Sequence, residues 1–214
     1  MSVARRKGFG GWALVGCAAL AVALMCAALV IAYGSGEVGL RSVVRNTART
    51  SFLFFVTAFV ARALHSLRRT RASLWLGENQ PYLYASFAAS HLIHAAAIFA
   101  LAAATRGESL EGRGATTLIG GGGSVAYLFI ALAAAPAFPR AARFVESHPR
   151  VSALRAFGLY YVWVIFMFSY GGRAVQSSFY RPFALTLVAA LALRVIALRR
   201  ANLRAGSSAD AAAF

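Results

Sequence analysis

Long apolar runs alternate with short arginine-rich segments along this chain. The runs fall at about 11–33, 44–64, 80–104, 116–137, 153–171 and 183–198. Each is close to the roughly 20 residues that a helix needs to cross the hydrocarbon of a bilayer. None contains Asp or Glu. The run at 11–33 follows basic residues, as a signal peptide would. A signal core is shorter, however, and it needs a small-residue cleavage site that AYGSG at 32–36 does not supply. The first run is therefore expected to be a retained span. Pro81, Pro136, Pro139, Pro149 and Pro182 all fall at run ends, where proline is tolerated. Four glycines, Gly120 to Gly123, permit a kink or close packing in the fourth run. The pattern predicts an all-α polytopic membrane protein, a bundle of six transmembrane helices over 11–200. A basic segment at 1–10 precedes it, and a disordered tail at 201–214 follows.

Six spans place both termini on one side. Arg5, Arg6 and Lys7, then Arg68, Arg69 and Arg71, then Arg140, Arg143 and Arg150, then Arg199, Arg200 and Arg204 all fall on the side of the termini. The positive-inside rule makes that side cytoplasmic, in a bacterial inner membrane. The loop after the third span is balanced, Glu108 and Glu111 against Arg106 and Arg113. Arg41, Arg45 and Arg49 are the exception, on the nominal outside. Arg45 and Arg49 are i, i+4 neighbours on a helix. They are candidates for an anionic group at the outer rim, either lipid phosphate or a haem propionate.

Composition adds little to the class and removes several functions. Net charge is +16 with 60% hydrophobic residues, and Lys7 is the one lysine. Such basicity can signal nucleic acid, but here the arginines are spread between apolar spans. No nucleic-acid partner is expected; the partner is the lipid bilayer. Cys17 and Cys26 lie nine residues apart in one run, about 13 Å along a helix, too far for a disulfide. There is no CxxCH haem-attachment motif or P-loop. The lack of intramembrane carboxylates argues against a proton relay or a cation-coupled transporter.

The candidate chemistry sits in the third span. It holds His91 and His94, at i and i+3 on one helical face, among small residues that include Ala88, Ala89, Ser90 and Ala95. An ionisable residue inside a span is a functional hypothesis by default. Small neighbours let a helix or a flat cofactor approach the backbone. Neutral imidazole is a common axial ligand of haem iron. The competing reading is a pair of interhelical hydrogen-bonding histidines.

Three stretches carry a family resemblance. RNTARTSFLFF at 45–55 is similar to an R-x-T-G-R opening of a second span. SFAASHLIH at 86–94 keeps a phenylalanine, small residues and His94 at a ligand spacing. LRAFGLYYVWVIF at 154–166, followed by Ser169, Tyr170 and Arg173, is similar to L-H-x-x-G-x-Y-x-x-W-x-x-F. Together they resemble the ferric reductase-like transmembrane domain, which includes bacterial haem b membrane subunits. The resemblance covers spans two to five. It implies a six-helix bundle that holds b-type haem and moves electrons across the membrane, with ligands from the third and fifth spans. This chain departs from the pattern at Arg155, which stands where the family has histidine. Phe168 and Ser169 stand where a second ligand would lie.

The resemblance thus leaves His94, with His91, as the haem-iron candidate. Two residues on one helix cannot clamp both faces of one haem. A sixth ligand would be water, another side chain or a second protomer, and a redox partner protein is a further expected contact. Any haem is expected in the outer half beside His94. Arg155 is expected either to snorkel to the interface or to turn inward, where it would suit a propionate or a lipid head group. The alternative is a divergent member without a cofactor, serving as a membrane scaffold or partner subunit.

Overall fold

The computed structural model describes residues 9–105 and 122–211. Its elements are α1 (Trp12–Tyr33), α2 (Glu37–Leu67), α3 (Arg71–Glu78), α4 (Gln80–Ala104), α5 (Gly122–Ala134), a 3-10 turn at Ala135–Ala137, α6 (Pro139–Ser147), α7 (Pro149–Gln176), a second 3-10 turn at Ser178–Tyr180, and α8 (Arg181–Ala211). No strand occurs among the described residues. Arg5, Arg6, Lys7, Arg106, Glu108, Glu111, Arg113, Gly120, Gly121 and the start of the expected fourth span lie outside them.

Five of these helices are long and apolar enough to cross a membrane, or six if α5 and α6 count as one bent span. α1 shows why the surroundings are lipid. It is apolar throughout, yet only 11% of its most apolar window is buried. A helix that is hydrophobic all round needs an apolar environment on every side. Leu20 and Ile31 are 60% and 85% exposed. The chain is a multi-pass, all-α membrane bundle.

α4 occupies the middle of the bundle, packed against α1, α2 and α5 and most extensively against α2. Its limits coincide with the expected span at 80–104. Asn79 closes α3 and opens α4. The Asn79 side-chain oxygen accepts from the Gly11 amide at 2.8 Å, and its amide group donates to the Trp75 carbonyl at 2.9 Å. One side chain thus pins the start of α1 to the α3–α4 corner. The buried Gln80 amide donates to the Ala58 carbonyl of α2 at 2.8 Å.

Other boundaries differ from the apolar pattern. α2 starts at Glu37 rather than near 44, because Glu37 and Arg41 pair one turn apart (2.7 Å) and carry the helix past the apolar run. Gly39 makes the tight α1–α2 corner possible: a Cβ there would collide with the Gly34 carbonyl. α7 runs over 149–176 rather than 153–171, with Pro149 in its first turn. α8 starts at Arg181 rather than near 183 and continues to Ala211, so the helix extends into the stretch expected to be a disordered tail. The loop bearing Arg68, Arg69 and Arg71 contains α3, started by a capping box between Thr70 and Ser73. After α5 the chain bends by 108° into α6, at the segment that contains Pro136 and Pro139. α6 is two-faced, with Arg140 and Arg143 exposed and Val145 buried.

Candidate functional site

The core between α2, α4 and α7 is aromatic. Phe52, Phe55 and Phe59 from α2 meet Phe87 from α4 and Phe166 and Tyr170 from α7. His91 and His94 continue this stack toward the end of the bundle where α2 begins. The His91 ring lies 5.4 Å from Phe87, 5.3 Å from Tyr127 of α5 and 6.4 Å from Phe166. The two imidazole centroids are 5.3 Å apart. Both histidines therefore sit among rings and side chains of neighbouring helices.

His94 is oriented by α2. Its Nδ1 lies 2.9 Å from the Thr47 hydroxyl. Thr47 is fully buried, and its hydroxyl is within 2.8 Å of the Val43 carbonyl and 3.1 Å of the Val44 carbonyl. A hydroxyl has one proton, and carbonyls only accept. With that proton on Val43 or Val44, Nδ1 must be the donor toward Thr47. If the hydroxyl proton instead lies on Nδ1, Thr47 is the donor and Nε2 carries the hydrogen; only the first arrangement leaves Nε2 with a free lone pair. This is how a hydrogen bond to the other ring nitrogen orients an imidazole ligand. His91 Nδ1 is buried and has no hydrogen-bond partner among the described residues. Next to the pair, the hydroxyls of Ser51 and Ser90 lie 2.9 Å apart and tie α2 to α4. Thr47→Val is expected to lower stability by about 0.6 kcal/mol, the usual size of an interhelical hydrogen bond in a membrane. A melting curve in detergent identical to that of the parent would contradict it.

No ligand faces the pair from α7. Phe166 holds the inward position, while Phe168 is 79% exposed and Ser169 is exposed too. Arg155 turns inward, its guanidinium carbon 5.9 Å from the Tyr84 ring. Arg49 lies over Phe179, 4.7 Å from the ring centre, and Arg45 is exposed. Neither arginine is brought to the histidine pair. His65 sits 3.4 Å from the Ser73 hydroxyl, and His148 is exposed beside Phe144 and Ser147. Cys17 and Cys26 are free thiols. Among the described residues no three His, Cys, Asp or Glu side chains gather as a metal site. Sequence reasoning gave no role to Thr47, although it stands in the RNTAR stretch, and missed Tyr127; both belong to other helices than the histidines.

The class defined by this arrangement is a membrane-embedded helical bundle with a histidine pair in its interior. No known family model, curated protein or solved structure matches the chain.

Proposed function

We propose that the chain is a ferric reductase-like integral membrane protein that carries one b-type haem on His94 and takes part in electron transfer. The observation that carries this reading is the contact between the buried Thr47 hydroxyl and His94 Nδ1, which fixes the imidazole and, with Nδ1 as donor, leaves Nε2 unprotonated. The unpartnered His91 Nδ1 supports it, since a buried polar atom without a partner calls for one, and a bound group beside the pair would supply it. The residues fit a haem held by one protein ligand. They do not fit bis-histidine ligation, because Phe166 occupies the facing position on α7.

In this reading a bound haem supplies one-electron chemistry. Thr47 fixes the ring angle of His94. Phe87, Tyr127 and Phe166 exclude water. Arg45 and Arg49, at the same end, are the nearest candidates for propionates. The sixth position is left to water, another side chain or a second protomer, and the electrons to a redox partner protein. One haem per chain, measured as pyridine haemochrome against protein, is the expected stoichiometry; two haems would sink the one-site reading. A second reading, a haem-free scaffold or partner subunit, is favoured by the aromatic filling between α4 and α7.

We place the protein in a bacterial inner membrane with both termini cytoplasmic. The support is the gathering of Arg68, Arg69, Arg71, Arg140, Arg143, Arg150, Arg199, Arg200 and Arg204 at one end of the bundle. In a background lacking Cys17 and Cys26, a cysteine at position 66 is expected to label from the cytoplasmic side. One at position 35 is expected to label from outside. The opposite pattern reverses the topology.

A further inference from the structure

Arginines from three helices surround a buried tyrosine whose hydroxyl proton has no acceptor among the described residues. Tyr84 of α4 is fully buried, and its hydroxyl has no partner among the described residues. Arg155 of α7 points at the Tyr84 ring, and its Nε is equally buried and unpartnered. Arg194 of α8 stacks 4.2 Å from the Phe59 ring and 4.9 Å from the Tyr160 ring. It also donates to the Phe59 carbonyl at 3.2 Å. Arg62 of α2 joins them, and all three arginines are within electrostatic reach of the Tyr84 hydroxyl. Arg155 in turn feels both other guanidiniums.

The helices that build this cluster supply no counter-charge. α4 and α7 contain no Asp or Glu, and Glu37 of α2 is bonded to Arg41 at the opposite end of that helix. The acid of α8 is Asp210, four turns beyond Arg194. Guanidiniums stay protonated. They repel one another, and holding Arg155 and Arg194 half-buried with no acid near them on their own helices is costly. Arg155 is six residues into α7, about 9 Å from its start. That is near the arginine-rich end of the helix rather than its middle. Along α4, Tyr84 is ten residues from His94, about 15 Å, so this is a separate place from the histidine pair.

We propose that Tyr84, Arg155 and Arg194, with Arg62 at the mouth, form a binding site for a phosphate-bearing anion entering from the arginine-rich end. Arginine forks match phosphate oxygens in pairs. The Tyr84 hydroxyl then has an acceptor, and Arg155 Nε has one too. Two carboxylate oxygens would leave several of these donors unused, whereas a phosphate offers more acceptors and spreads its charge. An anionic phospholipid head group and free phosphate share this chemistry. Basic pockets between membrane helices on the cytoplasmic side are known to take such head groups.

The test uses the delipidated full-length protein in detergent, melted with added phosphatidylglycerol, phosphatidylcholine, inorganic phosphate or chloride. Phosphatidylglycerol or inorganic phosphate is expected to raise the melting temperature saturably, and phosphatidylcholine and chloride are not. Stabilisation by the lipid alone makes a head group the occupant; stabilisation by inorganic phosphate as well makes it free phosphate. Arg155→Gln and Tyr84→Phe are each expected to weaken the apparent affinity about tenfold, the loss of one charge-assisted or buried hydrogen bond. The readout is the ligand-dependent shift, so a change in the variants' own stability does not obscure it. The proposal is overturned if neither anion stabilises the protein, or if both variants respond as the parent does.

Discussion

Phe55→Ala is expected to destabilise the bundle by about 3 kcal/mol, near the lower end of the range for buried phenylalanines. Phe55 is completely buried on α2. Its ring stacks on Phe59 at 5.3 Å and touches Phe87 of α4 at 5.3 Å and Phe166 of α7 at 5.1 Å. In a membrane the hydrophobic effect does not drive helices together, because lipid tails are as apolar as the core. Dispersion contacts carry the association. Truncating Phe55 removes the contacts of three helices at once, and lipid cannot fill an enclosed void. Leu53, two residues away and 60% exposed, is the control. Leu53→Ala should change stability by less than about 0.5 kcal/mol, as surface substitutions do. Unfolding in mixed micelles with increasing SDS measures both. Equal losses at the two positions would contradict the described packing.

Gly158→Leu is expected to cost up to about 3 kcal/mol, by overpacking rather than by a void. Gly158 is buried where α7 crosses α5. A Cβ there would lie 2.9 Å from the Phe129 Cβ and run into its ring. Phe129 cannot swing aside easily, because its ring also packs against Phe157 at 5.8 Å and Tyr161 at 5.1 Å. α5 must then move away from α7, and it takes Tyr127 from His91. Combining Gly158→Leu with Phe129→Ala should recover part of the loss, since the smaller residue yields the space. Gly172→Leu should be mild, because nothing lies within 4 Å of its position. A harmless Gly158→Leu, or no recovery in the double variant, would count against this contact.

How much of this was legible from the residues depends on how local the cause is. α4 was legible to the residue, since Asn79, Pro81 and the uncharged run all act within one segment. The six apolar runs correspond to helices wherever they are described. The ends of α2, α7 and α8 were not legible, because apolarity marks hydrocarbon depth. A helix does not stop where the hydrocarbon stops. Glu37 and Arg41 extend α2, and an Ala- and Arg-rich sequence extends α8. α3 and α6 hid in arginine-rich loops too short for a periodic signal, although Thr70 with Ser73 and Pro139 marked their starts. The face that His91 and His94 share followed from their spacing, but not what meets it. Thr47 reaches His94 from 47 residues away, and Arg194 reaches Phe59 across 135. Such pairings come from tertiary packing, so one sequence without its fold shows the members and not the cluster. Arg155 is the clearest case. The sequence offered the interface or the interior as its destination, and the Tyr84 ring lies on the inward side.

In the proposed function His94 holds a haem in the interior of this bundle. The most direct measurement is the reduced-minus-oxidised absorption spectrum of the purified membrane protein, expressed with added haem precursor, beside the His94→Ala variant. A Soret band that shifts on reduction with dithionite is expected in the parent, and its loss in the variant. A parent protein that folds, melts cooperatively and shows no Soret band would contradict it.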